Sequence, residues 1–139
     1  MCAALGFRWD GRRHQLWFRT APGDCTRHRV LAVLQALARQ LRGRRAILIW
    51  DQLPAHKSVL VRDWLAAQRP WLQVEWLPGY APELNPAEPM WGNVKGTELA
   101  NRCSDDLADA ASALRRGLRR VGRSRTLAWA FLRQTGLSF

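Results

Sequence analysis

Apolar and polar residues change period several times along this chain, and the changes mark its elements. Residues 2–9 and 14–19 have the short, apolar-rich character of strands. Asp10-Gly11 between them tolerates positive φ at both turn positions, which predicts a tight hairpin. Pro22-Gly23 closes the second strand. The period then becomes helical: Val30, Leu31, Val33, Leu34, Leu37 and Leu41 form one stripe, with Asp24 or Thr26 as cap and Gly43 as stop. Ala46 to Trp50 is a continuous apolar run too short for a helix, so it reads as a central strand covered on both faces. After Pro54 an amphipathic helix over 57–68 turns Val59, Leu60, Trp64 and Leu65 inward and ends at Pro70. Leu72, Val74 and Trp76 alternate with Gln73 and Glu75, as in a strand with one exposed face.

Residues 78–84 hold two prolines and a glycine and read as loop. Asn85 and Pro86 then open a helix as N-cap and first helical residue. It is expected to run to about Asn101, with Met90, Trp91, Val94 and Leu99 inward. A further helix from about Asp105 carries Leu107, Ala111, Leu114, Leu118 and Val121 on one face, and a last short one spans about 125–134. The order is β-β-α-β-α-β-α, then extra helices. A hairpin followed by two α-connected strands implies an α/β fold, with one mixed sheet and flanking helices.

Composition narrows what such a fold does. A chain of 139 residues suits one domain with its own core, and 47% hydrophobic residues exclude disorder over most of its length. Net charge is +11, and of 22 basic residues only Lys57 and Lys95 are lysine. The planar fork of arginine matches phosphate oxygens, so a nucleic acid is the expected partner. Residues 110–139 contain seven arginines and no acid. Cys2, Cys25 and Cys103 are widely spaced and match neither a zinc site nor a disulfide framework; reduced thiols in a cytoplasmic protein are the simpler reading. No signal peptide or membrane-length apolar run is visible, so no membrane partner is expected. Eight tryptophans are many for this length and are read as core and interface packing.

Two acidic residues stand out against this background. Asp51 is the first polar residue after the apolar strand, and ligands in such sheets collect beyond the carboxyl ends of parallel strands. Glu88 lies in the first turn of the helix that follows the next parallel strand. Two carboxylates at such ends suit Mg²⁺ or Mn²⁺, hard cations that take oxygen ligands. Each also has a structural reading. Asp51 fits a turn after a strand, and Asn85-Pro86-Ala87-Glu88 fits a capping box with Glu88 at its third position. His56 either contacts a phosphate, orients a ligand or is structural. Tyr80 either stacks on a base or packs against Trp91. Arg115, Arg116, Arg119, Arg120 and Arg123 either contact phosphates or form a solvated helix face.

Trp50-Asp51-Gln52-Leu53-Pro54-Ala55-His56-Lys57-Ser58 and the run from Leu77 to Lys95, above all Tyr80-Ala81-Pro82-Glu83-Leu84-Asn85-Pro86-Ala87-Glu88, resemble the DDE transposases of bacterial insertion sequences, in the group related to mariner elements. The resemblance covers about residues 1–102, and the 36 residues between Asp51 and Glu88 agree with that group's spacing. It implies a ribonuclease H-like fold for 1–102, with 103–139 as a basic helical extension. It further implies DNA strand cleavage and strand transfer, with Asp51 and Glu88 as the second and third metal-binding carboxylates. Lys57 and Lys95 lie in the matching stretches and join the expected DNA contacts. Gln52 stands where the family often has Asn.

The family's first Asp lies on a strand before the hairpin, and that strand is expected to be missing here. Asp10, at the hairpin tip, is no substitute, and Asp24 is more readily a helix cap. The family's N-terminal helix-turn-helix region is likewise expected to be missing. The expectation is therefore the C-terminal part of a transposase, inactive alone, whether a remnant, a product read from an internal Met or one half of a frameshifted protein. Its partners would be DNA, a second copy or the upstream half, in a bacterial cytoplasm near the nucleoid. The alternative is a non-enzymatic basic DNA-binding protein or a partner of an intact transposase. A resolvase-type nuclease is disfavoured by the Tyr80–Glu88 run, and a nucleotide-binding domain by the lack of a Gly-rich phosphate loop.

Overall fold

Strand pairing occurs as two separate pairs in the computed structural model, which describes residues 2–19, 25–100 and 106–137. The elements are β1 (Cys2–Phe7), β2 (His14–Arg19), α1 (Arg27–Leu41), β3 (Ala46–Trp50), α2 (Val59–Ala67), β4 (Leu72–Trp76), α3 (Ala87–Val94), α4 (Leu107–Arg123) and α5 (Arg125–Gln134). A 3-10 turn (Pro82–Leu84) precedes α3, and a π-helical turn (Lys95–Leu99) extends it. The expected order holds throughout, but the expected single sheet does not. β1 pairs with β2 and β3 with β4, and no ladder joins the pairs among the described residues. The chain groups into two compact units: Met1–Cys2 with Ala21–Ala81, and Ala3–Thr20 with Pro82–Phe139. No helix among the described residues is long and apolar enough to cross a membrane.

In the first unit β3 and β4 run parallel, with Ala46 opposite Leu72 and Trp50 opposite Trp76. Val30 and Leu34 of α1 and Val61 and Leu65 of α2 form a core with Trp50 and Leu72. Alternation along β3 sends Ala46, Leu48 and Trp50 toward these helices. Ile47 and Ile49 fall on the other face and are 62% and 45% exposed, so the apolar run is covered on one face rather than both. α1 starts at the expected place, but the Thr26 hydroxyl makes no cap bond. It ends with Arg42 and Gly43 both at positive φ (51° and 73°), as the glycine predicted. Cys2 and Cys25 are free thiols whose sulfurs approach to 2.8 Å. Burial and the neighbouring thiol push Cys2 up to about 11. Asp24, Asp105 and Cys103 lie outside the described residues.

In the second unit the hairpin loop is longer than the tight turn expected from Asp10-Gly11. Arg8 N–H donates to the Arg13 carbonyl (2.9 Å), and the Asp10 carboxylate accepts from Arg12 N–H (3.0 Å). Only Gly11 takes positive φ there, because the side-chain bond of Asp10 sets the turn instead. The Trp17 ring lies over Gly6, where a Cβ would collide with it. Phe7 meets Trp129 of α5 with ring centroids 4.9 Å apart, and Arg125 donates to the Gly11 carbonyl. Met90, Val94, Leu118, Val121 and Phe131 are buried.

The helix expected to continue to Asn101 changes at Lys95 to a π turn, closed by Ala100 N–H on the Lys95 carbonyl at 3.0 Å. A tertiary contact accounts for it. Arg120 donates two bonds to Glu98 (2.7 and 3.1 Å) and one to Asn93 (2.8 Å), so the widened turn presents Glu98 to α4. The Glu98 bonds hold the Arg120 guanidinium above its ordinary pKa, against the effect of burial.

Gly117 permits this approach, since a Cβ there would lie 2.5 Å from Glu98 Oε2 and 2.7 Å from Val94 Cγ1. Gly117→Ala is therefore expected to destabilise the protein by about 1–3 kcal/mol, although Ala alone favours a helix by about 1 kcal/mol. Urea unfolding measures this, and an unchanged or raised midpoint would refute such close packing.

Candidate active site

β3 delivers Trp50 into the core and Asp51 out of it. Asp51 Oδ1 accepts from the Leu53 backbone N–H at 3.2 Å and lies 2.9 Å from His56 Nδ1, whose hydrogen bond goes to the Asp51 carbonyl oxygen at 3.2 Å. These bonds leave Oδ2 as the oxygen available to a ligand, on a side chain that is 40% exposed. The His56 ring is 14% exposed and lies flat on Trp50, with centroids 4.2 Å apart and planes 9° apart. Gln52 ties the ends of the parallel strands together: its amide donates to the Leu77 carbonyl (2.9 Å) and its oxygen accepts from Lys57 Nζ (2.7 Å). The Asp51 turn is thus both a structural turn and a site with a spare carboxylate oxygen.

Glu88 resolves differently from its structural reading. A capping box would use its carboxylate on the Asn85 backbone N–H. That N–H donates instead to the Pro82 carbonyl at 3.0 Å, through the 3-10 turn. The Asn85 side chain accepts from Ala87 N–H (3.0 Å) and the Glu88 N–H donates to the Asn85 carbonyl (3.0 Å), so neither bond of the capping box forms, and Pro86 rather than Asn85 is the residue at the helix cap. Glu88 is exposed, and no hydrogen bond or ion pair reaches its carboxylate among the described residues.

Asp51 and Glu88 lie in different units, and each half of the candidate site stands on its own geometry. Both offer hard carboxylate oxygens of the kind a divalent cation takes. Among the described residues there is no group of three or more His, Cys, Asp or Glu side chains placed to hold a metal.

The remaining candidates divide clearly. Tyr80 is fully exposed (106%) and stands at positive φ (57°). Lys95 is exposed on the π turn, while Lys57 shares its ammonium with Gln52. Arg116, Arg119 and Arg123 are exposed on α4, and Arg116 also donates to Ser112 Oγ (3.1 Å). Arg115 is half-buried with interactions of its own. The Arg120 guanidinium is committed to Glu98 and Asn93. The sequence pattern pointed to neither Glu98 nor Asn93; their only signal was polarity on a helix expected to face inward.

A family described as DDE superfamily endonuclease matches residues 10–109. No curated protein matches the chain. Among solved structures the chain is similar to the Mos1 transposase catalytic domain with raltegravir and Mn, at 20% identity and a TM-score of 0.51, over 91% of this chain and 70% of that one. The same domain with raltegravir and Mg gives 17% identity and a TM-score of 0.52, over 99% and 83%. The catalytic domain of the Mos1 mariner transposase gives 19% and 0.51, over 91% and 69%. At these identities the likeness is one of fold, and that fold is ribonuclease H-like.

The Asn85 side-chain bond to Ala87 makes a measurable distinction. Asn85→Ala is expected to lower stability by about 0.5–2 kcal/mol, as loss of a capping side chain does. Glu88→Ala is expected to change it by less than about 0.5 kcal/mol, as for an exposed residue. Equal losses in thermal or urea unfolding would restore the capping box.

Proposed function

Because this chain belongs to the DDE superfamily of endonucleases, we propose that it acts on DNA as part of a transposase catalytic domain, with Asp51 and Glu88 as two of the carboxylates that bind metal. The observation that carries the proposal is that neither carboxylate is used up by the fold. Oδ2 of Asp51 is left over from a turn that needs only Oδ1. Glu88 is released from its cap by a backbone carbonyl. The Mos1 catalytic domains solved with Mn and with Mg support a divalent cation here. What bound Mg²⁺ or Mn²⁺ supplies at such carboxylates is activation of the attacking oxygen and relief of negative charge at the phosphodiester.

The protein's own groups do the rest. Lys57 and Lys95 offer ammonium donors to phosphate oxygens near the two carboxylates in sequence. Tyr80, exposed and held at a left-handed φ, presents a ring on which a base stacks. Arg116, Arg119 and Arg123 lie three and four residues apart, on one side of α4, and contact the DNA backbone. Arg120 is assigned to holding α4 against the π turn and not to DNA. A protein acting on chromosomal DNA would work in the cytoplasm at the nucleoid.

Mn²⁺ titration of the purified chain, followed by electron paramagnetic resonance, tests the carboxylates. Asp51→Asn and Glu88→Gln are each expected to weaken binding by about 10-fold or more, without lowering metal-free DNA affinity. Unchanged Mn²⁺ affinity in both variants would sink the assignment.

The arginines are tested by salt. Replacing Arg116, Arg119 and Arg123 with Gln is expected to reduce the slope of log K against log salt by about 0.9 per lost phosphate contact on duplex DNA. Arg120→Gln is expected to lower stability and leave that slope unchanged. The opposite pattern would exchange their roles.

A further inference from the structure

The geometry points to His56 as a positioning residue for Asp51: it fixes one carboxylate oxygen so that the other is presented to a divalent cation, and it does not contact DNA. This rests on the reading of Asp51 as a metal ligand.

Two sets of contacts hold the imidazole. The parallel stack on Trp50 sets the plane of the ring, and Trp50 is itself buried in the core of its unit. Nδ1 sets the rotation within that plane. It lies 2.9 Å from Asp51 Oδ1 and 3.2 Å from the Asp51 carbonyl oxygen. Both atoms only accept, so Nδ1 carries the proton and donates. His56 is brought to this point by its own turn, in which its N–H donates to the Leu53 carbonyl at 2.9 Å. The Leu53 N–H in turn donates to the same Oδ1.

The consequence is an asymmetric carboxylate. Oδ1 takes the Leu53 N–H and meets Nδ1 of the stacked ring at 2.9 Å, and the two contacts restrain rotation of the Asp51 side chain. Oδ2 is then held in place before any cation arrives, which reduces the ordering needed on binding. Donors of this kind behind a metal ligand affect affinity by about 10- to 100-fold. A direct phosphate contact fits poorly, because the ring is 14% exposed and its Nδ1 is already engaged.

Two substitutions separate the hydrogen bond from the stack. His56→Phe keeps a ring on Trp50 but has no donor. His56→Asn keeps an N–H near the Nδ1 position but loses most of the stack. The full chain is titrated with Mn²⁺ alone by electron paramagnetic resonance, with Asp51→Asn alongside and metal-free duplex DNA affinity as a second readout. The expectation is that His56→Phe weakens Mn²⁺ binding by about 10- to 100-fold, that His56→Asn stays within about 3-fold of the parent, and that DNA affinity is unchanged in both. Full Mn²⁺ affinity in His56→Phe, with Asp51→Asn still defective, would overturn the positioning role and leave the metal site standing. Asp51→Asn with undiminished Mn²⁺ affinity would remove the parent reading instead. A fall in metal-free DNA affinity in both His56 variants, with a smaller salt slope, would make His56 a DNA contact and overturn the proposal.

Discussion

The burial of Trp50 is the constraint from which the Asp51 half of the candidate site follows. Side chains alternate along a strand, so seating Trp50 against α1 and α2 decides which residues of β3 are inside. Asp51 is then the first residue beyond the core. The indole reaches both His56 (4.2 Å) and Trp76 (5.4 Å), joining the exits of β3 and β4. Its Nε1 is buried with no acceptor among the described residues. An orphaned donor of this kind costs about 1–3 kcal/mol. A phenyl ring would avoid that cost but offers less area than the indole to share between two neighbours.

The second unit is organised by a different interaction, a charged hydrogen-bond cluster. Arg120, Glu98 and Asn93 bring α4 against the turn that follows α3. A Glu–Arg pair of this kind is worth little when fully exposed, but Glu98 is largely shielded and the contact is bidentate. Both the π turn and the missing Cβ at Gly117 serve that approach. The arginines of α4 therefore divide by position and not by charge. Arg120 is part of the fold, Arg115 is half-buried with interactions of its own, and three on the exposed side remain available to phosphate.

Most of the element order was legible because periodicity, Pro and Gly marked nearly every boundary. The gaps have physical causes. An apolar run of five residues looks the same whether one face or two are covered, so the exposure of Ile47 and Ile49 was not readable from β3 itself. Asp10-Gly11 identified a hairpin but not its loop, because the Asp10 side chain competes with the tight turn for backbone N–H groups. The π turn depends on a residue 22 positions away, and local propensity carries no trace of it. At the site, Asp51 and Glu88 were visible from their places at element ends. The role of His56 was left open between phosphate, ligand and structure, since nothing in the chain shows that Trp50 stacks on it.

Glu88 shows why a local motif can be present and yet unused. Asn-Pro-Ala-Glu has the spacing of a capping box, but that motif forms only if the N-cap N–H is unclaimed. The 3-10 turn at Pro82–Leu84 claims it first, through the Pro82 carbonyl. The same turn fixes Asn85, whose side chain then serves Ala87. The proline-rich approach to α3 thus satisfies the helix terminus by itself, and the first-turn acid is relieved of a structural duty. A carboxylate that the fold does not need remains open to a ligand from outside.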